Sequence, residues 1–517
     1  MRITRRGFLK LGLMGAAGLA LPVGSLGVAG ARLGVADAIA SPRVEPFGVP
    51  LPVPPVLKPA RTDKTTDYYE ITQKKDTAEI LPGLETEIWG YEGIFPGPTV
   101  EARRGRRVVI RQTNELAVPV STHLHGGRTP PESDGYPTDL ILPTKAENGS
   151  SSAHSGPGSM GENSHGSKDY IYPNEQRGAT LWYHDHSMDF TGPQVYKGLA
   201  GMYILRDEVE DSLPLPKGEK EVPLVICDRT FEEDGSFFYP SLDPSLEGEP
   251  GVLASYHTGM FGDTILVNGA PWPFMEVSNT RYRFRILNAS NARRYVLALD
   301  PSPSGKPFVQ VGSDGGLLDA PVSHQRIPIS PAERFDVVVD FSRYPVGTKV
   351  ELKNLEEDGD DPASRVMRFD VVREEKDESV VPEKLAPALD FPDLKEAEVT
   401  RELRFSSSLI GMWSINGKPF DPGRMDARPR LGSTEVWELT SNADHPIHLH
   451  LVHFRVISRG GKKPLPQDAG WKDTVYVPSG ETVRVLARFD GYRGRYVFHC
   501  HNLEHEDMMM MANFEVV

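Results

Sequence analysis

Four His-x-His pairs constrain this chain more than anything else in its sequence. They are His123/His125, His184/His186, His448/His450 and His499/His501, eight of the fifteen histidines. A two-residue step along a strand sets both imidazoles side by side on one face. One such pair is weak evidence, because two core or surface histidines can fall that way by chance. Four pairs form a pattern that scattered structural histidines do not make. Two pairs lie in the first part of the chain and two near its end. A fold that gathers them must bring those distant segments together across a cleft.

The final segment adds soft ligands: His499-Cys500-His501, then His505, then Met510. In an extended strand Cys500 faces one way while His499 and His501 face the other. A thiolate with imidazoles and a weak thioether is the ligand set of a blue-copper electron-transfer centre. His445 lies three residues before His448, an odd step, so strand geometry sends it to the face opposite His448 and His450. His445 then belongs with Cys500, His505 and Met510 in one copper site. The remaining eight imidazoles suffice for three further coppers, two with three ligands and one with two. Metals on the two faces would be covalently wired through Cys500, a layout that carries electrons from one site to the other. Met508 to Met511 are consecutive, so the axial assignment depends on register, with Met511 as the fallback.

The expected class is all-β. Gly 49 and Pro 45 are high for 517 residues and point to many turns and short strands. One pattern recurs three times: an extended Gly/Pro segment, then a charged alternating strand ending in Asn. Phe95-Pro96-Gly97-Pro98 precedes Arg106–Arg111 and Asn114. Asn268-Gly269 precedes Arg281–Ile286 and Asn288. Asn416-Gly417-Lys418-Pro419 precedes Glu435–Leu439 and Asn442. The Asn residues are 174 and 154 positions apart, one unit each. Three tandem β-sandwiches are expected over 41–208, 209–376 and 400–517, with 377–399 as a charged, Pro-containing linker. The middle unit supplies no His-x-His pair and reads as a spacer. Residues 144–168, rich in Ser and Gly with His154 and His165, read as a mobile loop.

The net charge of -15, with +4 from residues 1–40, leaves about -19 on the rest, which repels nucleic acid and anionic membrane. Of the two cysteines, Cys500 is committed to metal and Cys227 lies in the apolar run Val222–Cys227. Cys227 is expected as a core residue without a disulfide. Thr4-Arg5-Arg6-Gly7-Phe8-Leu9-Lys10 before an apolar stretch resembles a twin-arginine export signal. Cleavage before Ser41, or after Ala29-Gly30-Ala31, would leave a periplasmic or extracellular protein with no membrane segment, expected to be a monomer. His453 is expected to pack in a sandwich. His257 and His324 have no partner in sequence, and Met188, Met260, Met412 and Met425 read as core or rim.

His123-Leu124-His125-Gly126, Trp182-Tyr183-His184-Asp185-His186, His445-Pro446-Ile447-His448-Leu449-His450 and the final segment resemble the four copper-binding motifs of multicopper oxidases. The resemblance covers roughly residues 45–517 and is strongest to three-domain bacterial laccases of the spore-coat laccase and bilirubin-oxidase branch. Ser133-Asp134-Gly135-Tyr136-Pro137 and Ser313-Asp314-Gly315-Gly316 are further matches. It implies three cupredoxin-like Greek-key domains, four coppers, and reduction of O₂ to water at the expense of phenols, aromatic amines or tetrapyrroles. It also implies a type 1 copper on His445, Cys500, His505 and Met510, and a type 2 copper on His123 and His448. A type 3 pair would sit on His125, His184, His186, His450, His499 and His501. Asp134 and Glu506 would assist O₂ reduction near the cluster, while Asp185 would orient structure. The loop at 144–168 is longer than the resemblance leads one to expect. The alternative activity is oxidation of Cu(I) or another metal ion.

Overall fold

The computed structural model describes residues 40–144, 161–246, 248–408 and 412–517. Its strands form three successive pairs of sheets. The first unit packs a five-stranded sheet containing Thr66–Ala78 and Arg107–Asn114 on a four-stranded sheet in the order Gly97–Arg103, Ala200–Arg206, Ala179–Asp185, Thr122–His125. The middle unit pairs a seven-stranded with a five-stranded sheet. The third pairs a five-stranded sheet with the four strands Thr474–Val477, His445–Leu449, Gly494–Cys500 and Met511–Val516. The protein is all-β, with three cupredoxin-like units.

Sequential neighbours in each unit are mostly antiparallel, but one parallel pair recurs. Thr66–Ala78 runs parallel to Arg107–Asn114, Glu221–Arg229 to Arg281–Asn288, and Ala397–Ser407 to Thr434–Ser441. A parallel pair requires the chain to cross between sheets, as in Greek-key sandwiches. Each unit buries its own apolar core. Val108, Leu181 and Tyr203 lie in the first, Phe284, Val337 and Phe369 in the middle one, and Trp437, Val485 and Phe498 in the third.

The repeat is real but differs from its sequence reading in two places. The Asn114 side chain ends its strand by accepting from Leu116 N–H and donating to Val118 and Ile141 carbonyls. Asn288 does the same with Ser290, Arg293 and Ile329. In the third unit the equivalent residue is Ser441, whose hydroxyl accepts from Ala443 N–H, so Asn442 is displaced by one. At the start of the pattern, Asn268-Gly269 and Asn416-Gly417 both have positive φ, and each Asn accepts from a backbone N–H of the neighbouring strand. The counterpart in the first unit is Glu92-Gly93, not Phe95-Pro96-Gly97-Pro98: both residues have positive φ and Glu92 accepts from Thr72 N–H.

Within the loop expected at 144–168, residues 145–160 lie outside the described residues, as does His154. Of the remainder, Ser164–His165 pairs with Ile141–Leu142, and Ser167–Tyr172 joins the first sheet. The segment expected as a linker packs partly on the middle unit, where Leu385 and Ala386 are buried against Leu215 and Val311. Cys227 is buried and unpaired. Among the described residues no helix is long and apolar enough to cross a membrane. The export-signal reading falls on residues 1–39, outside the described residues.

Candidate metal centre

Two strands of the third unit carry the soft site. His445–Leu449 pairs antiparallel with Gly494–Cys500, so Ile447 lies opposite Cys500 and His448 opposite His499. On one face, Cys500 Sγ lies 3.2 Å from His445 Nδ1 and 3.7 Å from His505 Nδ1, and those two nitrogens are 3.1 Å apart. His505 reaches this point from the short helix Leu503–Asp507, whose cap Asn502 accepts from His505 N–H. Met510 shares the packed core of Cys500, Ile447 and Trp413, whereas Met511 packs with Tyr136, Phe420 and Val497. The thioether that shares the cysteine's surroundings is therefore Met510. Burial pushes the Cys500 thiol up, with Asn502 N–H pulling more weakly the other way.

On the other face the third unit meets the first. His123 and His184 are register partners on adjacent strands, as are His125 and Trp182. His123 Nε2 lies 3.4 Å from His448 Nε2. His499 Nε2 lies 3.2 Å from His186 Nε2 and 3.3 Å from His450 Nε2. His125, His184 and His501 form a third group whose donor atoms lie within 4.8 Å of one another. The eight imidazoles thus group as His123/His448, His186/His450/His499 and His125/His184/His501, with His450 also within reach of the first group. All eight are buried. Burial holds the pKa values of His123, His125, His184, His186, His448, His450 and His501 below the ordinary range, to about 3 for His184 and about 4 for His186. Neutral imidazole is the form that binds metal.

The outer ring nitrogens are fixed by acceptors. His123 Nδ1 donates to the Asp134 carbonyl, His184 Nδ1 to the Asp185 carbonyl and His448 Nδ1 to the Asp473 carbonyl. His450 Nδ1 donates to the Asp134 carboxylate at 2.7 Å, and His125 Nε2 to Asp473 Oδ1 at 3.0 Å. Such partners set tautomer and ring orientation at metal sites. The inner nitrogens His125 Nδ1, His184 Nε2 and both of His501 have no hydrogen-bond partner. A buried polar atom left so costs roughly 1–3 kcal/mol, and a bound cation removes that cost. Sulfur plus imidazole on one face and imidazoles alone on the other fit copper.

Besides Asp473, the carboxylates of Asp134 and Glu506 lie against the cluster. Burial raises the Asp134 pKa well above the usual range. Glu506 lies 3.0 Å from His499 Nδ1 and 3.5 Å from His186 Nδ1, while His499 Nδ1 itself bonds the Cys500 carbonyl. Burial raises Glu506 too, but His499 and His186 more than offset this and hold it at about 2. Asp185 accepts from Ser121 and Ser187 N–H and shapes the turn after its strand.

The structure brings the candidate histidines and Cys500 together in these groups; the sequence reading missed Asp473, which no pair spacing marks. It also missed Arg334, which the spacer unit contributes. Arg334 donates to the Thr180 carbonyl of the first unit and to the Asp473 carboxylate of the third. Lys472 is buried against Asp314 and Glu333 of the middle unit. His453 is not simply packed in its sandwich; its ring bonds the Gly126 carbonyl across the cleft. His324 bonds Gln310, and His257, partnerless in sequence, stacks on Trp413.

Residues 392–517, and 72–151 with 159–210, match multicopper oxidase family profiles. A laccase of Bacillus subtilis (strain 168) is 38% identical, over 92% of this chain and 99% of its own. The chain belongs to the multicopper oxidase family. A bilirubin oxidase of Albifimbria verrucaria is 38% identical over 92% of this multicopper oxidase and 82% of its own length. The crystal structure of a laccase from Pediococcus acidilactici superposes with a TM-score of 0.78 at 32% identity, covering 92% of this multicopper oxidase and 95% of that chain.

Proposed function

We propose that this multicopper oxidase is a laccase-type enzyme. It takes single electrons from phenols, aromatic amines or tetrapyrroles and reduces O₂ to water. The observation that carries the reading is one strand end with two faces: Cys500 meets His445 and His505, while His499 and His501 reach histidines of the first unit. The similarity to named laccases and to a bilirubin oxidase supports the donor class. Four coppers are expected: type 1 on His445, Cys500, His505 and Met510; type 2 on His123 and His448; type 3 on His186, His450 and His499 with His125, His184 and His501. Bound copper would supply one-electron acceptance at the thiolate site and joint delivery of four electrons to O₂ at the three-metal site.

The protein's own groups supply orientation and protons. Asp134 orients His123 through its carbonyl and His450 through its carboxylate, and its burial favours proton uptake beside the cluster. Glu506, ionised beside His499, accepts and passes protons. The buried setting excludes bulk water from the cluster. Metal analysis with an absorption spectrum tests the reading: four coppers per chain, an intense blue thiolate band and O₂ uptake with a phenol are expected. Colourless metal-replete protein overturns it.

Metal-ion oxidation is a second reading, favoured by the exposed thioether of Met412 next to Trp413 and by likeness to a Campylobacter jejuni metallo-oxidase at 26% identity. Steady-state rates on a phenol and on Cu(I) separate the two. Twin-arginine export with cleavage before Ser41 is part of the proposal. Ser41 N–H donates to Asp263 Oδ2 at 2.9 Å, so a new terminal ammonium there would meet a carboxylate. N-terminal sequencing of the exported protein tests this.

A further inference from the structure

Resting on the laccase reading, we infer that electrons reach the type 1 site through a stack of two rings, His257 and Trp413, and that His257 is the face on which an aromatic donor stacks. The two type 1 histidines offer almost no edge to solvent: His445 is 0% exposed and His505 3%. Trp413 covers His505, with ring centroids 3.7 Å apart and planes 29° apart. The Trp413 ring also meets His445 edge-on at 5.4 Å. Trp413 is itself buried, and its other neighbour is His257 of the middle unit, 5.1 Å away and nearly parallel at 18°. His257 is only half-buried. It is thus the solvent-facing member of a continuous ring stack that ends on His505.

The setting of His257 suits a flat apolar donor. It follows the single turn Ala254–Tyr256, and that turn is held over the site by Asn502, whose amide donates to the Thr258 carbonyl. Leu253 of the same turn and Met412 beside Trp413 are exposed, an apolar surround on an acidic protein. Aromatic rings attract one another through stacked and edge-on contacts. In the step itself each phenol gives one electron through the stack to the type 1 copper and its proton to water. Four such losses supply the electrons that take one O₂, with four protons, to two waters.

The test is anaerobic stopped-flow bleaching of the blue absorption in holoenzyme, with 2,6-dimethoxyphenol and with ferrocyanide, which has no ring to stack. His257→Leu is expected to slow reduction by the phenol about fivefold, the loss of one stacking contact, with a smaller effect on ferrocyanide. Trp413→Leu is expected to slow both donors tenfold or more, and Trp413→Phe to restore part of the loss. Calorimetry with 4-nitrophenol, too electron-poor to react readily, should show binding to the wild type weakened in His257→Leu. His165→Ala, an exposed change in the first unit, serves as the control. If His257→Leu and Trp413→Leu keep their blue band and bleach with the phenol within twofold of wild type, the inference is overturned while the laccase reading stands. If the wild type has no blue band, it is the laccase reading that fails.

Discussion

Asp473 holds two stacked imidazoles of the cluster with one residue. Its carboxylate accepts from His125 and from Arg334, and its carbonyl accepts from His448. Burial raises its pKa, but Arg334 more than offsets that and keeps the carboxylate ionised. Asp473→Asn retains the carbonyl and loses the charge, which loosens His125 and leaves the buried guanidinium underpaired. Copper affinity at the cluster should fall about 10–100-fold, read by chelator competition, while the blue absorption at Cys500 persists. Equal chelator resistance in mutant and wild type would rule this role out. Cys500→Ser should behave in the opposite way, losing the blue band and turnover with a donor while the other histidine sets keep their metal. Such residues differ in how visible they are in sequence. Ligands on one strand announce themselves by spacing, because alternation is local. Asp473, Arg334 and the His257–Trp413 contact pair across units, and nothing in the surrounding sequence encodes which distant residue they meet.

At the scale of elements, the recurring hairpin and strand end are legible for the same local reason. An Asn-Gly turn advertises its positive φ, whereas Glu92-Gly93 hides the same turn behind a residue not expected there. Ser441 in place of Asn shifted the third strand end by one for a similar reason: a hydroxyl can do part of what a carboxamide does. The Ser313-Asp314-Gly315-Gly316 corner shows what a short motif cannot reveal alone. Asp314 accepts from Arg334 N–H and pairs with Lys472. Gly316, at φ +97, is so close to the first unit that a Cβ would lie 2.1 Å from the Gly178 carbonyl oxygen. Gly316→Ala should therefore destabilise the protein by about 3 kcal/mol, from overpacking plus left-handed strain. A thermal melt that matches wild type would refute the tight junction.

Across the whole molecule, the first and middle units are joined by a buried charge cluster. Glu210 pairs with Arg206 at 2.9 Å and Arg283 at 3.0 Å and also with Arg285, while Arg283 and Arg285 reach Asp336. Burial raises the Glu210 pKa, but the three guanidinium groups more than offset this and lower it from 4.5 to about 2. A depressed carboxylate pKa stabilises the fold above the unfolded value and loses that contribution as pH falls. Stability worth about 3 kcal/mol should therefore disappear between about pH 4.5 and pH 2. Glu210→Gln should melt lower at neutral pH and show a shallower acid dependence over that window. A parallel acid profile in both proteins would contradict the assignment.

His123, His125, His184 and His186 are in place once the first sandwich closes, yet their partners arrive more than 250 residues later in synthesis. A nascent or truncated polypeptide therefore presents half a cage. It has no second wall to complete the multi-metal pocket and no thiolate to feed it. The division of labour between distant stretches means that the thiolate entry point and the complete multi-metal pocket appear together, only when the last unit folds against the first.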